Sequence, residues 1–167
     1  QQLKLAVQRV RESRVRKMAD YHLVVNIPAY ELRAVEGGKV LLRNKVIVGT
    51  NRLDDDKVAL IQGHLNRTKL FTSKLYQIVI NPSWILPERI AKGELKGSLA
   101  KDPDYLEKVG IREKTLGNGT KVFVQKGGEG NVLGKVKFLL EKSNAIYLHD
   151  TDKKYLFDEK RRDFSHG

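Results

Sequence analysis

The six residues Val35-Glu36-Gly37-Gly38-Lys39-Val40 join two runs of strand character, YELRAVE before them and KVLLRNKVIVG after them. Two glycines between such runs predict a tight antiparallel hairpin, because both central positions of the favoured two-residue turns take positive φ and glycine has no Cβ to clash there. Further strands are expected at YHLVVNI (21–27), LYQIVI (75–80), KVFVQK (121–126), KVKFLL (135–140) and AIYLH (145–149). Pro28 interrupts the first of these and marks a bend or an edge, since it cannot donate to a ladder. The pattern is that of a mostly β domain with little helix.

Two segments break it. Leu3, Val7, Val10 and Met18 recur near one face at helical steps while Arg9, Arg11, Arg16 and Lys17 point elsewhere, so a helix is expected over residues 3–18, within an N-terminal element spanning 1–20. SWILPERIAKGELKGSLAKDPDYLEKVGI (83–111) also has helical character, with Pro87 suited to a first turn and Asp102-Pro103 to starting a second. About 30 residues are too few for an independent core. This segment therefore reads as a helical flap inserted among the strands of one domain, not as a second domain.

The chain has 167 residues, 40% of them apolar, which suffices for a core without metals or disulfides. Lys and Arg number 32 against 20 for Asp and Glu, a net charge of +12, which favours an anionic partner such as nucleic acid, a membrane surface or a cell-wall polymer. No apolar run approaches the roughly 20 residues of a membrane-spanning helix. QQLKLAVQRVRESRVRK has no signal-peptide order. The absence of cysteine excludes disulfides and thiolate metal sites within these residues. Opening on Gln1 and closing on Ser165-His166-Gly167, the sequence reads as a fragment trimmed at both ends.

Candidate chemistry is sparse. QKGGEGNVLGKVKF resembles a phosphate loop only superficially, because Glu129 and Val136 stand where the Walker pattern needs glycine and a hydroxyl residue; a tight loop between strands is expected instead. His22 and His64 are isolated in sequence and no HExxH occurs, so neither a metal nor a cofactor is expected. His22 reads as a half-buried structural residue and His64 as a loop residue. His149 ends an apolar strand, where a side chain projects from a rigid edge; it suits either a satisfied structural histidine or a functional one. Ser165-His166-Gly167 suits a turn that exposes backbone N–H groups, as an oxyanion hole requires.

Several stretches together resemble one family, the L,D-transpeptidases of bacterial cell-wall synthesis with a YkuD-type catalytic domain, and within it the YcbB-like branch. That family carries a histidine followed downstream by Ser/Thr-His-Gly-Cys, and LHDT…SHG matches all but the cysteine. VVNIPAYEL (24–32), IVINPSWILPERI (78–90), KDPDYLEKVGI (101–111), VQKGGEGNVLGKVKF (124–138) and YLHDTDKKYLF (147–157) look like successive family blocks in the same order. The resemblance implies a YkuD-like β-sandwich of mixed sheets over residues 21–167, with a capping insertion at about 83–120.

By the same resemblance the reaction is acyl transfer through a cysteine thiolate, the cysteine being expected directly after Gly167. His149 would be the general base, oriented by the backbone carbonyl of Asp150. His166 and Gly167 would shape the nucleophile turn and help form the oxyanion site, while Tyr147, Ser165 and Trp84 would line the substrate pocket. The implied substrate is the peptidoglycan stem peptide, joined in 3→3 cross-links that serve wall biogenesis and cell shape, at a periplasmic or otherwise extracytoplasmic location, and the implied inhibitors are carbapenem-type β-lactams. Departures are the missing cysteine and the basic residue that usually follows it by two, Thr68-Lys69 where Thr-Pro is frequent, and Gly127 where proline is frequent. An inactive wall-binding member is the second reading. A basic nucleic-acid binder is the third, opposed by an aromatic content of 7% and the lack of any nucleic-acid motif.

Overall fold

The computed structural model describes residues 18–50, 66–141, 143 and 146–166, with only the backbone of Glu94. The expected N-terminal helix, but for Met18, lies outside the described residues, as do His64 and Gly167. The described part is mostly β, as the hydrophobic periodicity predicts. Its chain forms two compact units, one of residues Gln1–Thr68 with Lys160–His166, the other of Lys69–Glu159.

In the first unit, β1 (Tyr21–Asn26), β2 (Glu31–Glu36) and β3 (Lys39–Lys45) form an antiparallel meander in the order β1-β2-β3. Glu36 faces Lys39 across the Gly37-Gly38 turn, and both glycines have positive φ, +54° and +77°. The hairpin is therefore the one the two glycines demand. Pro28 falls in the Ile27–Tyr30 turn between β1 and β2, where it costs no ladder bond. Tyr30 closes that turn at φ 53° and is held by Arg162, whose Nη2 donates to the Tyr30 carbonyl at 3.1 Å. Arg162 also donates from Nε to the Val46 carbonyl at 3.3 Å. Residues 48–50 and 162–165 exchange main-chain bonds: Val48 N–H to the Arg162 carbonyl at 2.8 Å, Ser165 N–H to the Val48 carbonyl at 3.0 Å, Thr50 N–H to the Ser165 carbonyl at 2.9 Å. Gly49 and Ser165 thereby form a parallel bridge.

The second unit carries two three-stranded sheets. One has the order β4-β8-β9, from β4 (Leu75–Ile80), β8 (Val136–Leu140) and β9 (Leu148–His149). The other has the order β5-β7-β6, from β5 (Trp84–Ile85), β6 (Ile111–Thr115) and β7 (Lys121–Gln125). All the named ladders are antiparallel.

Residues 83–111 are helical only in their middle. The helical run opens after Pro87 with α1 (Glu88–Ile90), widens into a π turn at Ala91–Leu95, and continues as α2 (Lys96–Lys101); α3 (Tyr105–Lys108) follows. Its ends are strands instead, because Trp84-Ile85 and Ile111–Thr115 both pair with β7. Leu86, Ile90, Leu95 and Ile111 are buried together, with Trp84, Leu106 and Phe123 packed on them. This cluster fastens the helical segment to its own hairpin through the burial of apolar surface.

Candidate functional site

His149 stands at the end of β9, where its backbone pairs with Lys137 of β8. Directly opposed residues of an antiparallel pair share a face of the sheet, so Lys137 and His149 project to the same side. Tyr147 lies just before β9, and its ring centroid is 5.6 Å from that of His149 at an interplanar angle of 58°. The Lys137 ammonium rests 3.7 Å from the centre of the Tyr147 ring, within cation–π range. From β5, the Trp84 indole hydrogen-bonds the Tyr147 hydroxyl. Burial pushes that phenol above its usual value, against the opposing effect of the indole donor.

The imidazole is oriented by main chain. Nδ1 of His149 is bonded to the carbonyl oxygen of Asp150. A carbonyl only accepts, so Nδ1 must carry the hydrogen, and Nε2 of the neutral ring is left with a lone pair. Loss of solvation is the largest influence on this group and holds it below the ordinary histidine value. The bond to the Asp150 carbonyl works the other way, as does the Asp150 charge, while the Lys137 charge reinforces the depression. His149 as a whole is nonetheless exposed to solvent.

Asp150 is fixed at three points. Its N–H donates to the Val136 carbonyl at 2.9 Å, its Oδ2 accepts from the Lys135 N–H at 2.9 Å, and its Oδ1 pairs with the Lys154 ammonium. Burial disfavours the carboxylate, but the Lys135 amide, the Lys154 ammonium and the Thr151 amide outweigh it and keep the group ionised below its usual range. The acidic side chain thus holds the loop, and through it the backbone carbonyl that holds His149.

The glycine-rich stretch is a built loop rather than a slack one. Gln125 and Asn131 are buried amides at 5% and 1% exposure. Gln125 donates to the carbonyls of Val109 (2.9 Å) and Gly130 (3.1 Å) and accepts from the Val132 N–H (3.1 Å). Asn131 donates to the carbonyls of Pro82 (3.2 Å) and Lys126 (2.8 Å), and its Oδ1 accepts from the Leu133 N–H at 2.7 Å. Gly127 does not loosen this loop: a Cβ there would lie 2.5 Å from the Asn81 carbonyl oxygen. Only glycine fits that approach.

The structure therefore brings His149, Asp150, Tyr147 and Trp84 together in the second unit. Ser165 and His166 belong to the first unit, where Ser165 is clamped to Val48 and Thr50 and His166 is exposed. Sequence reading missed Lys137, Gln125, Asn131 and Gly134. A lysine inside the apolar run KVKFLL was the available signal for the first; isolated amides and one glycine among several gave none. Among the described residues no group of three or more His, Asp or Glu side chains could hold a metal ion, and no helix is long and apolar enough to cross a membrane.

The YkuD family model, described as the L,D-transpeptidase catalytic domain, matches residues 20–167. The chain is also 32% identical to a Haemophilus influenzae protein provisionally named an L,D-transpeptidase, across 92% of this chain. The chain spans only 32% of the length of that relative. Because that family model matches residues 20–167, the chain belongs to the YkuD family of L,D-transpeptidase catalytic domains.

Proposed function

We propose that residues 21–167 belong to the catalytic domain of a peptidoglycan L,D-transpeptidase of the YcbB-like branch, with a cysteine following Gly167 as nucleophile. The observation that supports this best is the bond from His149 Nδ1 to the Asp150 carbonyl. It leaves Nε2 as the basic atom of an imidazole whose protonated form is disfavoured. Such a group is neutral near pH 7 and ready to accept a proton.

In this reading Nε2 takes the thiol proton and the thiolate adds to the carbonyl of the third stem residue. The tetrahedral oxyanion is met by backbone donors of the turn that includes His166 and Gly167. Collapse breaks the C–N bond to the terminal D-alanine, whose amine takes the proton back from His149, and leaves a thioester. An amine of a neighbouring stem then attacks, gives its extra proton to His149, and expels the thiolate to form a 3→3 cross-link. Water in place of the amine makes the same site a carboxypeptidase. Tyr147 and Trp84 line the donor pocket, and the segment 83–120 caps it. The location is extracytoplasmic, and the net charge of +12 suits an acidic wall polymer.

The test is the intact mass of the full-length protein after exposure to a carbapenem. One covalent adduct is expected, abolished when the cysteine after Gly167 is replaced by serine. An adduct that persists in that variant removes the assignment. No adduct, with retention on purified sacculi, is the outcome expected of an inactive wall-binding member.

A further inference from the structure

The cation beside His149 has no part in the mechanism above. Lys137 is half-buried, its ammonium rests 3.7 Å from the centre of the Tyr147 ring, and the His149 imidazole is close enough to feel its charge. No carboxylate among those residues pairs with it. The nearby acid, Asp150, is already engaged by the Lys135 N–H and by Lys154. Other described lysines with ion-pair partners, Lys92, Lys108, Lys121 and Lys154, are exposed surface groups. Lys137 is the reverse case, a cation partly withdrawn from water and held in place by an aromatic ring. Burial lowers its pKa, the mark of a charge that is under-solvated where it sits.

An under-solvated ammonium on the same face as a base is a costly arrangement for a proton acceptor, because it opposes the positive charge the imidazole must take up. An anion bound at Lys137 removes that opposition. The reaction proposed above releases the last residue of a peptide, and such specificity calls for a cation that reads the free C-terminal carboxylate, the carboxylate nearest the scissile bond. We propose that Lys137 is the anchor for the C-terminal carboxylate of the peptide from which the last residue is removed. Tyr147 holds the ammonium in position, and the arriving carboxylate neutralises the charge that weakens His149 as a base. The proposal rests on the acyl-transfer reading for the identity of the peptide, but the binding step is separable from the chemistry.

The probe is a stem-type peptide ending in D-alanine, compared with the same peptide carrying a C-terminal amide. Binding to the full-length protein is followed by NMR shifts of the His149 ring and the Lys137 side chain. The wild type should bind the carboxylate form roughly ten- to hundred-fold more tightly, the range for one charge-assisted hydrogen bond. Lys137→Met should erase the difference by weakening only the carboxylate form, and Lys137→Arg should keep most of it. Equal binding of the two peptides by the wild type overturns the anchor, and so does an unchanged preference in Lys137→Met. Failure of the carbapenem adduct would remove the acyl-transfer reading alone and leave this comparison decisive for the carboxylate site.

Discussion

Gly134 lies against Asp150 so closely that a Cβ on the glycine would stand 2.5 Å from the carboxylate Oδ2. The glycine is at φ +60°, and the next residue, Lys135, donates its N–H to that same oxygen. The loop and the residue that orients His149 are thus one unit of structure. Gly134→Ala should cost about 1–2 kcal/mol for the left-handed backbone alone and more for the displaced carboxylate. Gly119→Ala, at φ +81° with open space around it, is the control that carries only the conformational part. Urea midpoints should separate the two, and only Gly134→Ala should slow carbapenem acylation.

The pH dependence of acylation follows from His149. Its pKa lies below 6.5, chiefly through loss of solvation, so the neutral base persists as pH falls past the point where an ordinary histidine would protonate. The acid limb of the rate profile should therefore lie below pH 6.5. Lys137→Met removes one of the influences that lower it, while the Asp150 carbonyl and charge still raise it, so the limb should move to higher pH. His149→Ala should slow acylation by roughly 10²–10⁴-fold, the usual contribution of a positioned base, with circular dichroism unchanged.

Asn131 is the most buried side chain of the loop, and three backbone groups depend on it. Asn131→Ala leaves the carbonyls of Pro82 and Lys126 and the N–H of Leu133 without their partner. Each unsatisfied buried group costs about 1–3 kcal/mol, so a loss of at least about 3 kcal/mol is expected in chemical denaturation. A variant as stable as the parent would show that water replaces the amide.

Trp84 and Tyr147 should be coupled. Trp84→Phe removes the donor to the phenol, and Tyr147→Phe strands the indole N–H. A double-mutant cycle on unfolding free energy should return a coupling of about 0.5–1.5 kcal/mol. Both single variants should also perturb the His149 ring resonances, because Tyr147 touches that ring.

Much of the scaffold was legible because its causes are local. Gly37 and Gly38 specify their turn by themselves, and the apolar alternation of residues 75–80 and 121–125 specifies strands. Ile111–Thr115 escaped notice because IREKT is charged and mostly exposed; its strand exists only because β7 lies beside it. Trp84-Ile85 is too short to show a period. At the site, His149 was legible from its place at a strand end and from the family motif. The need for glycine at 127 and 134 was not, since it arises from Asn81 and Asp150, far away in the chain. Gln125 and Asn131 are equally silent in sequence, because a buried amide differs from an exposed one only by its neighbours.

The bridge between Gly49 and Ser165 also bears on how the molecule is made. The Arg162–Val46 bond beside it spans 116 positions of chain. Closing so large a loop loses entropy before any contact repays it, and contacts of this range form slowly. The β1-β2-β3 meander needs only its neighbours and is ready early during synthesis. The Ser165-His166 segment can be ordered only after the residues between 50 and 162 have been made and the chain has returned to residues 48–50. Its ordering is therefore late relative to the meander, and a polypeptide arrested before residue 160 would have the meander without it.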